Sequence, residues 1–260
     1  MMSQMKAVAA ILAGMAALCV QGAGAIDPRK APDPAKMAAF EAHQGGRVMP
    51  PDNGNRVLVW DMTGKAGASV ATFTNLCQRL WHIPVVVRSG GTAEGCLYKA
   101  AKAAKGAKVP CVILIGDGGA ECPALAVYPE EAIGCVNYAA LACDDAGKTE
   151  KRVSKELFRA FGFACGGYAI ARTACAMDIV CSLGDLDAMN AVILSPMRFS
   201  GINRAADKLG LPVLRATTYQ MACRQGWAPP PTNELQKAIW EKSKKLPKIT
   251  PGDPFARQRK

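Results

Sequence analysis

The chain has 260 residues, 32 lysines and arginines against 21 acidic residues, a formal charge of +11 and a hydrophobic content of 50%. That length supports one sizeable domain with its own core, plus at most a small appendage. It contains only two histidines, His43 and His82, which excludes a three-histidine metal site.

The N-terminus carries Lys6, then the apolar run Ala7 to Val20, then Ala23-Gly24-Ala25, the layout of a secretory signal with a small-residue cleavage site over residues 1–25. The run is too short to cross a ~30 Å bilayer, and Leu18 before Cys19 argues against a lipoprotein. No later segment is apolar enough to span, so the mature chain is expected to be exported, periplasmic or extracellular, without a transmembrane segment. Of eleven cysteines, Cys19 leaves with the signal. Those remaining are Cys77, Cys96, Cys111, Cys122, Cys135, Cys143, Cys165, Cys175, Cys181 and Cys223, an even number that suggests disulfides in an oxidising compartment. Cys111, inside an apolar strand, reads instead as a buried thiol.

Residues 26–55 are rich in proline and glycine and read as a leader with a short helix from Pro34 to His43. The folded domain is expected over 56–227. It opens on the β-rich run Arg56 to Asp61, followed by a helical stripe over Ser69 to His82, a strand at Pro84 to Val87 and a helix over Thr92 to Ala104. Val109 to Gly116 is the most apolar run and reads as the central strand. Leu125 to Tyr128 and Ile133 to Tyr138 read as short strands, in a hairpin or as neighbouring edge strands. Lys148 to Phe161 is a strong helix, with Val153, Leu157, Phe158 and Phe161 on one face and Gly162 near its end. Helices are further expected at Asn203 to Leu209, around Thr217 to Arg224 and near Asn233 to Lys245. The last lies in a Pro-rich tail, 228–260, whose basic residues Lys237, Lys242, Lys244, Lys245, Lys248, Arg257, Arg259 and Lys260 face only Glu234, Glu241 and Asp253. Such a tail can attach to an anionic polymer or simply keep the chain soluble.

Within the long helix, Lys155-Glu156-Leu157-Phe158-Arg159 has the outline of the zinc-protease motif H-E-x-x-H, in which two imidazoles one turn apart hold Zn²⁺ and the glutamate takes a proton from bound water. Here the glutamate stands alone. Lysine and arginine occupy both histidine positions, and a cationic side chain has no lone pair to give a metal. The order of elements, with this helix ending in glycine and a later methionine turn, resembles the metzincin metallopeptidases. Among them it looks most like the archaemetzincins, whose pattern is H-E-x-x-H-x-x-G-x-x-H-C followed by C-x-M. On that pattern Lys155, Arg159 and Cys165 fall on the three histidines, Glu156 on the catalytic glutamate, Gly162 on the glycine and Cys175-Ala176-Met177 on C-x-M. The resemblance spans roughly Arg56 to Cys181. It implies that Ile133 to Leu141 is the edge strand that binds substrate backbone in active relatives, and it leaves a structural zinc on Cys143, Cys165, Cys175 and Cys181 as the alternative to no cofactor.

Outside this helix the candidates are weak. Asp117-Gly118-Gly119 at the end of the central strand reads as a tight turn, Cys77 and His82 need not face each other, and Glu156 reads as a charge on the solvated side of its helix. Serine-hydrolase elbows and phosphate loops are absent. The sequence therefore points to an α/β (α+β) domain, metzincin-like, with a mixed sheet, flanking helices, disulfides and a basic helical tail. The expected function is that of an exported, catalytically inactive metallopeptidase-like protein that binds an unidentified protein or peptide, without specific nucleic-acid binding. The alternative is an active secreted peptidase or hydrolase with a non-standard site using Cys165 and Glu156.

Overall fold

A computed structural model of the chain describes residues 33–92, 96–169, 175–191, 193–194 and 196–249, with the side chains of 196–200 excepted. The expected signal segment, 1–25, and the end of the basic tail lie outside the described residues. The chain divides into two units, one ending at His43 and one beginning at Gln44. In the first, helix α1 (Pro34–His43) has no buried residue.

The second unit is built on five strands: β2 (Val57–Asp61), β3 (Val85–Ser89), β4 (Cys111–Gly116), β5 (Leu125–Tyr128) and β6 (Ile133–Asn137), in the order β3-β2-β4-β6-β5. The strands β3, β2, β4 and β6 are parallel, and β5 runs antiparallel to β6. Parallel strands covered on both faces need apolar residues at every position, and every residue of β2, β4 and β6 is buried. Alternation sorts them. Val57, Val59, Cys111, Ile113, Ile115 and Val136 face one core, and Leu58, Trp60, Val112, Leu114, Ile133 and Cys135 face the other.

The first core is closed by α2 (Gly67–Leu76), which runs into a wider turn at Cys77–Trp81, and by α5 (Ala146–Ala164). Their aromatic rings interlock: Phe73 lies 5.0 Å from Phe158 and 5.6 Å from Phe161, centroid to centroid. The second core is closed by α3 (Leu97–Ala104), which buries Ala101. A one-turn helix, α4 (Tyr138–Leu141), leads from β6 toward α5. The Asp145 carboxylate accepts from Lys148 N at 3.0 Å and starts α5. Beyond Ala164, Gly166 takes φ +74°, and Gly167 N donates to Gly162 O. That left-handed turn is why glycine follows the helix.

Four sequence expectations change. The run from Ile133 does not form an edge: β6 is fully buried between β4 and β5, and residues 138–141 are helical, so the edges of the five-stranded sheet are β3 and β5. Part of the leader belongs to the body, since Arg47–Val48 (β1) pairs antiparallel with Thr217–Thr218 (β7). The tail is also packed. Helix α9 (Glu234–Lys244) lies against α8 (Tyr219–Gln225): Gln236 Nε2 donates to Gly45 O at 2.8 Å, and Tyr219 stacks on Trp240. Finally, no disulfide is present among the described cysteines. Cys77 and Cys111 are buried in one core and Cys135 in the other, with the sheet between them, whereas Cys96, Cys122, Cys143 and Cys181 are exposed.

Two further helices matter to the site. Helix α6 (Leu183–Ala188) was not foreseen, although Ser182 and Asp185 carry its capping signal: Asp185 N donates to Ser182 Oγ at 3.2 Å. Helix α7 spans Pro196–Lys208.

Candidate functional site: the polar face of helix α5 and the adjoining cavity

Arg152, Lys155 and Arg159 are spaced three and four residues apart and share one face of α5. That face is not solvated. The segment from Cys175 to Ala188 covers it, leaving Arg152 7%, Lys155 6%, Arg159 7% and Glu156 2% exposed. The expectation that Glu156 lies on a solvated side is therefore corrected, because a segment remote in sequence supplies the cover.

Each cation ties the helix to that cover. Lys155 Nζ donates to Leu186 O at 2.7 Å. Arg159 Nη1 donates to Asp178 O at 2.6 Å and to Ala176 O at 3.2 Å. Arg152 donates through Nε and Nη2 to the two carboxylate oxygens of Asp187, each at 2.7 Å. The Glu156 Oε2 carboxylate accepts from Arg159 Nε at 2.9 Å. Burial pushes the Glu156 carboxyl up, against the downward pull of Arg159. Burial likewise pushes Lys155 down.

Asp187 behaves in the opposite sense: its hydrogen bond from Arg152, with help from Lys148, holds it far below the usual carboxylate range. Because the folded value is depressed, its contribution to stability is complete above the unfolded value of about 3.9 and is lost as pH falls through the folded value. Replacing Asp187 with asparagine should therefore lower stability at neutral pH and flatten its fall on acidification below about pH 4. Urea midpoints measured from neutral pH downward check this.

Zinc does not fit these residues. At the positions of the first two ligands stand two cations whose hydrogens already engage carbonyl oxygens, and the Glu156 carboxylate is bonded to one of them. Neither cation has a lone pair for the metal. Cys165 at the third position would be a lone donor. Burial, with Cys111 and Cys77 close by, pushes its thiol well above the ordinary range, and burial pushes Cys111 up to about 12. The thiol is thus held protonated, the reverse of what a nucleophile or metal ligand needs. Cys143, Cys165, Cys175 and Cys181 do not converge: among the described residues no group of three or more histidine, cysteine or acidic side chains is placed to hold a metal.

Met177 packs directly under the helix. A Cβ on Gly162 would stand 2.3 Å from Met177 Sδ, and one on Gly167 2.6 Å from Gly162 O. Three chain segments thus cross with no room for a side chain. The other candidates are structural. Asp117-Gly118-Gly119 is a turn, with Gly119 at φ +85° and Gly118 N donating to Asn137 Oδ1. His82 ends its helix at φ +56°, and Cys77 is fully buried.

Beside the crossing, a cavity of ≈470 Å³ opens at the C-terminal end of α5. Gly162, Cys165, Met177 and Leu194 line it from the helix side, and Arg204 and Lys208 of α7 line it from the other. The sequence reading did not find these two cations. Their only signal was a spacing of four residues on an expected helix.

The site thus combines a helix face of buried cations that bind carbonyl oxygens with a neighbouring open cavity. In structure the chain is similar to the archaemetzincin of Methanopyrus kandleri, with 16% identity, 60% of this chain and 98% of that one covered, and a TM-score of 0.48. It is also similar to a zinc-dependent peptidase from Methanocorpusculum labreanum, with 16% identity, 57% and 100% covered, and a TM-score of 0.46. No family model matches the sequence, and no curated protein does.

Proposed function

We propose that the chain is an exported, catalytically inactive metallopeptidase-like protein that binds a peptide by strand addition to the outer edge of β5. The observation that carries the first half is the hydrogen bonding of Lys155 and Arg159 to Leu186 O, Ala176 O and Asp178 O. These cations spend their hydrogens on carbonyl oxygens, and neither has a lone pair with which to hold a Lewis acid for a water. The second half is supported by β5 being, with β3, one of the two strands that pair on one side only, since an unpaired strand edge is a template for another chain. Export is supported by the Lys6, Ala7 to Val20 and Ala23-Gly24-Ala25 pattern.

The test is metal analysis of the purified chain after equilibration with zinc and dialysis, together with an assay on unfolded casein. The expected outcome is no stoichiometric zinc, no cleavage and no change in melting temperature on adding EDTA. Stoichiometric zinc accompanied by cleavage that Glu156→Gln abolishes would overturn the reading.

A further inference from the structure

We infer that the cavity beside α5 is a binding site for an amphipathic monocarboxylate, an unbranched or aromatic acid whose apolar tail lies against the floor and whose carboxylate is held by Arg204 and Lys208. This goes beyond the peptide-binding reading, which concerns the edge of β5.

Its volume of ≈470 Å³ falls within the range of about 300–1,000 Å³ typical of small-molecule sites. The floor is glycine backbone at Gly162 with the side chains of Met177, Leu194 and Ile202, all three buried. Methionine sulfur and aliphatic carbon suit a flexible hydrocarbon chain. On the opposite wall Arg204 and Lys208 sit one turn apart on α7 and are exposed. Like charges at this spacing repel by about 0.2–0.5 kcal/mol, and among the described residues neither has an ion-pair partner.

An anion placed between the two relieves that repulsion, and the arginine fork accepts both oxygens of a carboxylate. Glu130, also on the lining, opposes a second negative charge, which favours a monoanion over a phosphate or a dicarboxylate. An uncharged lipid would leave both cations unanswered.

Calorimetric titration of the full chain with hexanoate, octanoate and decanoate tests this, and 1-decanol serves as the uncharged probe. Because heats of binding are blind to proteolysis and zinc, a failure here is readable apart from a failure of the non-catalytic reading. One site is expected, with affinity rising about fourfold per added methylene. The exposed pair Arg204→Glu/Lys208→Glu should weaken decanoate at least about tenfold and leave 1-decanol unchanged. The pair Lys237→Glu/Lys244→Glu on α9 should change neither. No saturable decanoate binding, or equal losses from both charge-reversed pairs, would overturn the inference, the second outcome showing only general attraction to a basic chain.

Discussion

Replacing Arg159 with alanine should lower the free energy of unfolding by about 3–5 kcal/mol, the usual cost of breaking a buried ion pair by removing one partner. Three groups lose their partner together: the Glu156 carboxylate, Ala176 O and Asp178 O. The carboxylate dominates, because it is 2% exposed and already pushed up by burial. A raised carboxyl contributes stability below its unfolded value of about 4.3 and loses it as pH rises through the folded value, so at neutral pH Glu156 is a net cost that Arg159 offsets. The loss in Arg159→Ala should therefore shrink as pH falls and Glu156 takes up a proton. The double replacement Glu156→Leu/Arg159→Met should cost less than Arg159→Ala alone, because neither charge remains in the interior. Urea unfolding of the three proteins at two pH values gives both comparisons, and a double variant weaker than the single one would show that the carbonyl bonds, not the ion pair, hold the helix to its cover.

Changing Gly162 to alanine should destabilise the protein, although the same change in an open helix stabilises it by about 0.8–1.0 kcal/mol. The added methyl would meet Met177 Sδ at 2.3 Å and Leu194 Cδ2 at 3.3 Å. Overpacking of this kind costs about 1–3 kcal/mol. Met177→Ala alone should cost about 2–5 kcal/mol through the space it leaves. The double replacement should cost less than the sum of the two, since the alanine methyl occupies part of that space. Additive losses would mean that the sulfur does not rest on the helix backbone.

Much of the fold could be read from local periodicity. The strands β2 and β4 are continuous apolar runs and the helices after β2 and β6 carry a 3.6-residue stripe, and these fell close to where expected, whereas the helix expected from Thr92 begins at Leu97. The packing of Met177 against Gly162 was not legible, because it joins a helix to a later turn. What failed depends on pairing between distant segments. Nothing in Ile133 to Asn137 says that it lies inside the sheet and Leu125 to Tyr128 at its edge; only the order in which strands join decides that. Glu156 read as a solvated charge because the sequence does not show that residues 175–188 return to cover its face of the helix. The tail was read as a separate basic appendage for the same reason, since Gln236 finds Gly45 O nearly two hundred residues away. The evenness of the cysteine count carried no geometry: it says nothing of which thiols share a face of the sheet, and Cys77 and Cys111 lie on one side of it with Cys135 on the other.

The crossing of Gly162, Gly167 and Met177 also sets what oxidation would do here. Met177 is 1% exposed, and its sulfur lies where a Cβ on Gly162 would stand. A sulfoxide is larger and polar and does not fit against that glycine backbone, so oxidation of this one buried methionine would loosen the turn from the helix.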